Sequence, residues 1–396
     1  MWLDSLMGGR RRGWFLVGVV CVLLAACTRS DDDASDSEGE DESSLAAGPS
    51  GKRKRESTGD ESGSPLAGEL VTRIAFGSCN DTTQPAPIWK AIVAQRPDVW
   101  VWLGDIVYAD PVDPSEPAGA TNADHMRELY RGLKGHAGYR ALRARGTRIL
   151  GTWDDHDYGK DDGGKDNPLK EIAQKLLLEF LDEPPESPRW DRKGVYGAYD
   201  LGTRDRRVRL ILLDTRYHRD LLSNPSGDIL GDAQWRWLAD QLEKPAELLL
   251  LGSSIQVVSD EHDRERWGHF PSAHERLYRM LARAETRALV ILSGDRHFGE
   301  LSIRDNPYGG PGLVELTSSS LTRAVGSMPN EKNPHRRGEI YFRENFGLLA
   351  VDWHAGLVSL QLRGADGRIA LEHTLPLSPV VPRARRAIEV KGLEPP

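Results

Sequence analysis

From residue 70 onward, short apolar runs alternate with amphipathic segments, and this alternation constrains the fold more than any other feature. Continuous runs of Val, Ile and Leu are typical of strands buried on both faces, and the segments between them have helical spacing. The order predicts an α/β fold with helices on both faces of the sheet. The predicted strands are residues 71–76, 99–103, 148–150, 208–213, 248–251, 289–292, 347–353 and 357–362, and the predicted helices are 88–95, 124–133, 169–181, 234–242 and 272–284.

Composition divides the 396 residues into one large domain and two flanking segments. Residues 67–375 contain every predicted element without a convincing break, which favours a single domain. Residues 27–66 form an acidic stretch rich in Ser and Gly that includes a basic tetrapeptide, residues 52–55, and residues 376–396 form a tail with Pro and Arg. Such compositions do not bury enough apolar surface to fold, so residues 27–66 are predicted to be a disordered tether.

Most of the net charge of −8 belongs to the tether, because residues 28–66 contain eleven acidic and five basic residues. The domain is nearly balanced, so no nucleic-acid partner is expected. The basic tetrapeptide is compatible with a nuclear signal or a polyanion site. Behind an export signal, a solvated linker is the favoured interpretation.

The N-terminus has the pattern of an export signal. Residues 14–26 are mostly apolar, follow three arginines at positions 10–12, and are too few to span a bilayer. The run ends in Leu24-Ala25-Ala26-Cys27, which resembles a bacterial lipobox and predicts a signal peptide over residues 1–26 with lipid on Cys27. An ordinary secretory signal or an uncleaved anchor are the alternatives. The expectation is a lipoprotein of the bacterial cell envelope, bound to a membrane and facing the periplasm or the cell surface.

The three cysteines have separate interpretations. Cys21 lies within the signal and Cys27 at the lipidation site, so Cys79 is the single thiol of the predicted domain. A lone thiol in an exported protein is either a small buried apolar residue or a metal ligand.

Polar residues that can bind metals follow six of the predicted strands. In α/β sheets the ligand site lies beyond the carboxyl ends of the strands, so these residues are expected to meet at one edge. They include Cys79, Asp105, Tyr108, Asp154, Asp155, His156, Asp157, Asp295 and His297. Carboxylates suit hard cations, whereas a thiolate or a phenolate favours a transition metal such as iron. The set exceeds the needs of one ion, which predicts two or more metals sharing a carboxylate.

Other hydrolase and nucleotide-binding motifs are missing from the sequence. It contains no G-x-x-x-x-G-K-[ST] and no H-E-x-x-H, and Gln256 stands where a G-x-S-x-G motif would end. The acidic stretch 154–166 lacks the spacing of an EF-hand.

Five motifs in order, FGSCN, WLGDIVYAD, GTWDDHDYG, LLDTR and LSGDRHFGE, resemble the alkaline phosphatase D (PhoD-like) family of calcineurin-like metallophosphatases. The closing ELTSSSLTR and ENFGLLAVDW also resemble that family, and the likeness covers about residues 70–365. The resemblance implies a four-layer α-β-β-α sandwich with a multinuclear metal site.

The resemblance also implies roles for single residues. Cys79 matches an iron ligand, Asp105 the bridging carboxylate and Tyr108 a phenolate ligand. Asp155 matches a metal ligand, and His156 matches the catalytic group near the leaving oxygen.

Other positions depart from the superfamily pattern. Asp295 and His297 match the outer positions of G-H-x-H, with Asp in place of the first His, and Gln256 stands where a further His is usual. An oxygen-rich second site suits calcium, so the resemblance suggests Fe³⁺ and Ca²⁺ as cofactors.

The predicted chemistry is in-line attack of a metal-bridging hydroxide on phosphorus, because bound metal lowers the pKa of water from 15.7 to about 7. Protonated His156 would assist the leaving alkoxide. Arg216 and Asn80 are predicted substrate contacts, although Arg216 could instead form a buried ion pair. Asp154 is a metal ligand or the cap of the following turn.

The predicted function is a lipid-anchored phosphatase that hydrolyses phosphate esters, with a monomer expected. A phosphodiesterase with phospholipase-type activity at the same centre, and a catalytically silent binding lipoprotein, are the alternatives.

Overall fold

The computed structural model describes residues 68–110, 123–328 and 331–377. The predicted signal peptide, the tether and residues 378–396 of the predicted tail therefore lie outside the described residues. The strands are β1 (Arg73–Gly77), β2 (Val99–Leu103), β3 (Arg148–Thr152), β4 (Gly197–Thr203), β5 (Arg206–Leu212), β6 (Ala246–Gly252), β7 (Thr286–Ser293), β8 (Gly299–Arg304), β9 (Leu313–Ser318), β10 (Arg336–Tyr341), β11 (Asn345–Asp352), β12 (Leu357–Gly364) and β13 (Ile369–Pro376). The helices are α1 (Ile88–Ala94), α2 (Ala123–Gly135), α3 (Ala137–Arg143), α4 (Asp155–Tyr158), α5 (Lys170–Phe180), α6 (Gly231–Leu242) and α7 (Pro271–Leu281), with a 3₁₀ turn at Trp267–His269.

The strands form two mixed sheets. The first has six strands in the order β13-β12-β11-β1-β2-β3, in which β1, β2 and β3 are parallel. The second has seven strands in the order β10-β8-β9-β7-β6-β5-β4, in which β5, β6, β7 and β9 are parallel. The remaining pairings are antiparallel. The predicted α/β class is confirmed.

The two sheets pack face to face because their side chains alternate with a period of two. In β2, Val99, Val101 and Leu103 enter the core between the sheets, whereas Trp100 and Trp102 face the core built with helices α1, α2, α3 and α5. On the second sheet, a third core lies against helices α6 and α7. The layers are therefore helix, sheet, sheet and helix, which confirms the four-layer prediction.

All eight predicted strands and all five predicted helices are present, with ends shifted by a few residues. Strands β4, β8, β9, β10 and β13 and helices α3 and α4 were not predicted. Within the described residues, no helix combines the length and apolar character needed to cross a bilayer.

The parallel strands position the functional residues. The carboxyl ends of β1, β2 and β3 lead into the segments that begin at Ser78, Gly104 and Trp153, and β5, β6 and β7 lead into those that begin at Leu213, Ser253 and Gly294. Hydrogen bonds join segments from opposite sheets, such as the one from Ser254 Oγ to Asp154 Oδ1 at 2.6 Å. The two sheets therefore share one site.

Candidate metal centre

Three groups of potential metal ligands meet at the shared sheet edge. Within each group, one donor atom per residue lies within 4.8 Å of the others. The groups are Cys79–Asp105–His297, Asp105–Asp155–His156 and Asp154–Asp155–Asp295. Asp105 joins the first two groups and Asp155 joins the last two, so the predicted donors form one continuous cluster.

The first group combines a thiol, a carboxylate and an imidazole, and the phenol of Tyr108 lies beside it. The Cys79 thiol donates to Asp105 Oδ2 at 3.3 Å and lies 3.1 Å from the Ser319 hydroxyl. The Tyr108 hydroxyl lies 3.0 Å from His297 Nε2, which brings the phenol to the same donors. Soft and aromatic donors of this kind suit a transition metal.

Four residues of the donor cluster have backbone conformations that residues other than glycine rarely adopt. The φ angles are +59° at Cys79, +47° at Asp105, +70° at Asp295 and +58° at His297. Left-handed conformations are costly for residues with a Cβ, and such strain concentrates at functional sites. The strand ends therefore turn sharply in order to direct these four side chains into the cluster.

Gly104 permits the close approach of two of these turns. Its φ is +90°, and a Cβ at this position would overlap the Cβ and the backbone nitrogen of Asp154. A larger residue would separate the Asp105 turn from the Asp154–Asp155 turn.

Gly104→Ala is expected to destabilise the protein more than Gly146→Ala and to lower its metal content. Gly146 also has a positive φ, +80°, but an added Cβ meets nothing within 4 Å. The control should cost about 1–2 kcal/mol for the left-handed alanine, and Gly104→Ala about 1–3 kcal/mol more for overpacking. Urea unfolding and metal analysis measure both effects. Equal losses in the two variants would contradict the close approach.

Buried carboxylate oxygens without hydrogen bonds show that the cluster suits metal ions. Asp105 Oδ1, Asp154 Oδ2 and Asp155 Oδ1 are buried and accept no hydrogen bond from the described residues. Buried carboxylate oxygens without partners are costly unless a cation compensates them. The donor set therefore fits metal ions, with mixed donors around Asp105 and carboxylates around Asp155.

The pKa values show how strongly these carboxylates are desolvated. Burial and neighbouring carboxylates raise the pKa of Asp105 well above its usual range, and burial raises the pKa of Asp295 to about 6. For Asp155, burial acts to raise the pKa, but the charges of His156 and Arg216 outweigh burial and hold the pKa below its usual range. A bound cation would stabilise the ionised form of each carboxylate.

His156 is positioned by a residue that the sequence analysis missed. Its Nδ1 lies 2.6 Å from Asp110 Oδ1, and its ring packs against Tyr108 at an angle of 36° with 4.1 Å between centroids. Burial lowers the pKa of His156, but Asp155, Asp105 and Asp110 together raise it to about 11. The imidazolium is therefore the favoured form in the metal-free protein. Asp110 ends the WLGDIVYAD motif, but nothing in the motif shows that its carboxylate reaches His156.

Arg216 is enclosed by carboxylates, which corrects its prediction as a substrate contact. Its guanidinium is fully buried, with Nε 2.5 Å from Asp154 Oδ1 and Nη1 2.6 Å from Glu265 Oε2. Glu265 also pairs with Arg219 Nε at 2.9 Å. Arg216 thus forms the buried ion pair that was the alternative, and it holds Asp154 beside Asp155.

Two other predicted residues have structural partners. Asn80 is buried and donates to the carbonyl of Ile106 at 3.0 Å, so its amide tethers the Cys79 turn to the Asp105 turn rather than facing an open space. Gln256 donates to Glu300 at 2.7 Å, while its Oε1 is buried and accepts no hydrogen bond from the described residues.

Asp154 has the position of a cap, and its ligation of metal stays a prediction. It precedes helix α4 as its N-cap residue, and its backbone nitrogen donates to Asp157 Oδ2 at 3.1 Å. Its Oδ1 accepts from Arg216 and Ser254, and its Oδ2 remains available to a cation.

Comparisons with known proteins agree with this fold. The family model described as PhoD-like phosphatase matches residues 74–365. A solved structure described as the structure of PhoD is similar over 79% of this chain and 70% of its own, with 19% identity and a TM-score of 0.59. GAP50, described as the anchor in the inner membrane complex of Plasmodium, is similar over 78% of this chain and 90% of its own, with 15% identity and a TM-score of 0.52. No curated protein sequence matches the chain.

Proposed function

We propose a function on the premise that this chain belongs to the PhoD-like phosphatase family and is a metal-dependent phosphatase. The proposed reaction is the hydrolysis of phosphate esters with iron and calcium. The single observation that carries the proposal is the continuous donor cluster in which Asp105 and Asp155 each belong to two groups. Cys79, Asp105, Tyr108 and His297 would hold iron, and Asp105, Asp154, Asp155 and Asp295 would hold calcium. Bound metals at such a site lower the pKa of water and stabilise charge on phosphate oxygens.

The protein's own residues supply the remaining chemistry. His156, oriented through Nδ1 by Asp110, is proposed to give a proton to the leaving oxygen of the ester. Arg216 and Glu265 keep Asp154 and Asp155 together through buried ion pairs. The Tyr108 ring packs against the His156 imidazole at an angle of 36°, and this contact is proposed to help Asp110 orient the imidazole.

Hydrolysis of a nitrophenyl phosphate monoester is expected to stop after chelation and to return when iron and calcium are added. The reason is that the buried carboxylates cannot perform this chemistry without cations. Release of nitrophenol measures the rate, and the same assay with a diester tests a phosphodiesterase as the second candidate. Hydrolysis of neither ester by the metal-loaded protein would contradict the proposal.

Export and lipid attachment are proposed from the sequence alone, because Cys27 lies outside the described residues. Several acyl chains, each contributing about 0.8 kcal/mol per buried CH₂, would hold the protein at a membrane. In bacteria expressing the full chain, Cys27→Ser is expected to move the protein from the membrane fraction to the soluble fraction. Cys21→Ser, within the predicted signal, is the matched control. Unchanged membrane association of Cys27→Ser would contradict lipid attachment.

A further inference from the structure

Arg216 is enclosed by carboxylates. An arginine that contacts the substrate phosphate, in addition to the bound metals, therefore has to come from elsewhere in the chain. Arg323 is exposed, and its guanidinium carbon lies 4.2 Å from the centroid of the Tyr108 ring. Tyr108 in turn contacts His297, and its ring packs against that of His156. Arg323 therefore lies at the solvent side of the donor cluster.

The backbone on both sides of Arg323 is fixed to the cluster. The nitrogen of Thr322 donates to the carbonyl of Cys79 at 3.3 Å, and the nitrogen of Val325 donates to the carbonyl of His297 at 3.0 Å. The Thr322 hydroxyl also donates to the carbonyl of Asp81 at 3.0 Å. The position of Arg323 is thus set by the two turns that carry Cys79 and His297.

The charge of Arg323 is not neutralised within the described residues. No carboxylate of that part of the chain lies within ion-pair distance of its guanidinium, whereas nearby Arg296 pairs with Glu331 at 2.6 Å. A guanidinium stacked on an aromatic ring keeps its N–H groups free at the edge of its plane. Those groups match the oxygens of a phosphate, which arginine binds in bidentate fashion.

We propose that Arg323 binds a terminal oxygen of the substrate phosphate and selects phosphate monoesters over diesters, an inference that rests on the proposed function. A monoester carries a charge of about −1.5 to −2 at neutral pH and three terminal oxygens. A diester has one fewer terminal oxygen and a single negative charge. A fixed guanidinium at the mouth of the site consequently contributes more to binding of the monoester.

The test compares steady-state kinetics of a nitrophenyl monoester and a nitrophenyl diester in metal-loaded wild type, Arg323→Ala and Arg323→Lys. Arg323→Ala is expected to raise KM for the monoester about tenfold or more, as for loss of a charge-assisted hydrogen bond, with a smaller change for the diester. Arg323→Lys keeps the positive charge but loses the paired N–H donors of the guanidinium, so an intermediate KM is expected. Inhibition by inorganic phosphate should weaken in parallel.

Arg287→Ala is the matched control, because Arg287 is exposed at the opposite end of β7 from the site. It should leave both KM values unchanged, and metal content should remain at the wild-type level in every variant. If wild type hydrolyses the esters and Arg323→Ala changes both KM values equally or neither, the inference is overturned and the proposed function stands. If wild type hydrolyses neither ester, the proposed function itself fails.

Discussion

Asp105→Asn is expected to lower kcat/KM for phosphate esters by about 10³-fold or more, because metal ions contribute several kcal/mol of transition-state stabilisation. Asp105 belongs to two donor groups, so its loss removes a ligand from both predicted metals. Steady-state kinetics and metal analysis of the same preparation measure the effect. Asp98→Asn is the matched control, since Asp98 lies at the other end of β2 and accepts from the backbone nitrogens of Thr72 and Arg73 at 2.7 and 2.9 Å.

The stability of Asp105→Asn should depend on metal. Without metal, Asp105 is a buried carboxylate beside other carboxylates, and an isosteric amide removes this unfavourable charge. The variant should therefore unfold at the same or higher urea concentration than the metal-free wild type, but at lower concentration than the metal-loaded wild type. Equal activity and metal content in Asp105→Asn and wild type would contradict its assignment as the shared ligand.

Arg216→Ala is expected to destabilise the protein by about 3–5 kcal/mol, the cost of removing one partner from a buried ion pair. The substitution leaves Asp154 buried without its countercharge, and leaves Glu265 paired with Arg219 alone. Urea unfolding at constant metal concentration gives the difference. Arg279→Ala is the matched control, because its pair with Glu275 is exposed and should contribute little to stability.

The same variant separates the two interpretations of Arg216. A residue that only contacts phosphate would raise KM on substitution and leave the free energy of unfolding nearly unchanged. A loss of stability below about 1 kcal/mol, accompanied by a large rise in KM, would contradict the buried network and restore the substrate contact.

The fold could be predicted where strands are apolar and central. Strands such as β2 and β6 are buried on both faces and appear as uninterrupted apolar runs. The missed strands give weaker signals. Strands β10 and β13 are edge strands with many exposed polar residues, and β4 contains two glycines. Strand β9 is fully buried but has Glu315 in its centre, whose carboxylate accepts from the backbone nitrogens of Val257 and Val258.

The residues of the candidate site also differ in how far they could be predicted from the sequence. The donors that follow parallel strands could be predicted, because sheet topology brings strand ends together whatever their distance in sequence. The partners of those donors could not. Asp110 and Arg323 end the WLGDIVYAD and ELTSSSLTR motifs, and Glu265 is buried beside Arg216. The partners of all three are set by tertiary contacts that the local sequence does not show. Arg216 was assigned to phosphate because sequence shows its charge but not the carboxylates around it.

Metal analysis of the purified wild-type protein and of Cys79→Ala tests the central claim most directly. The account predicts iron and calcium in the wild type, and loss of iron in Cys79→Ala, because the thiol belongs to the Cys79–Asp105–His297 group. A wild-type protein that contains no transition metal and hydrolyses the nitrophenyl monoester at full rate in the presence of a chelator would contradict it.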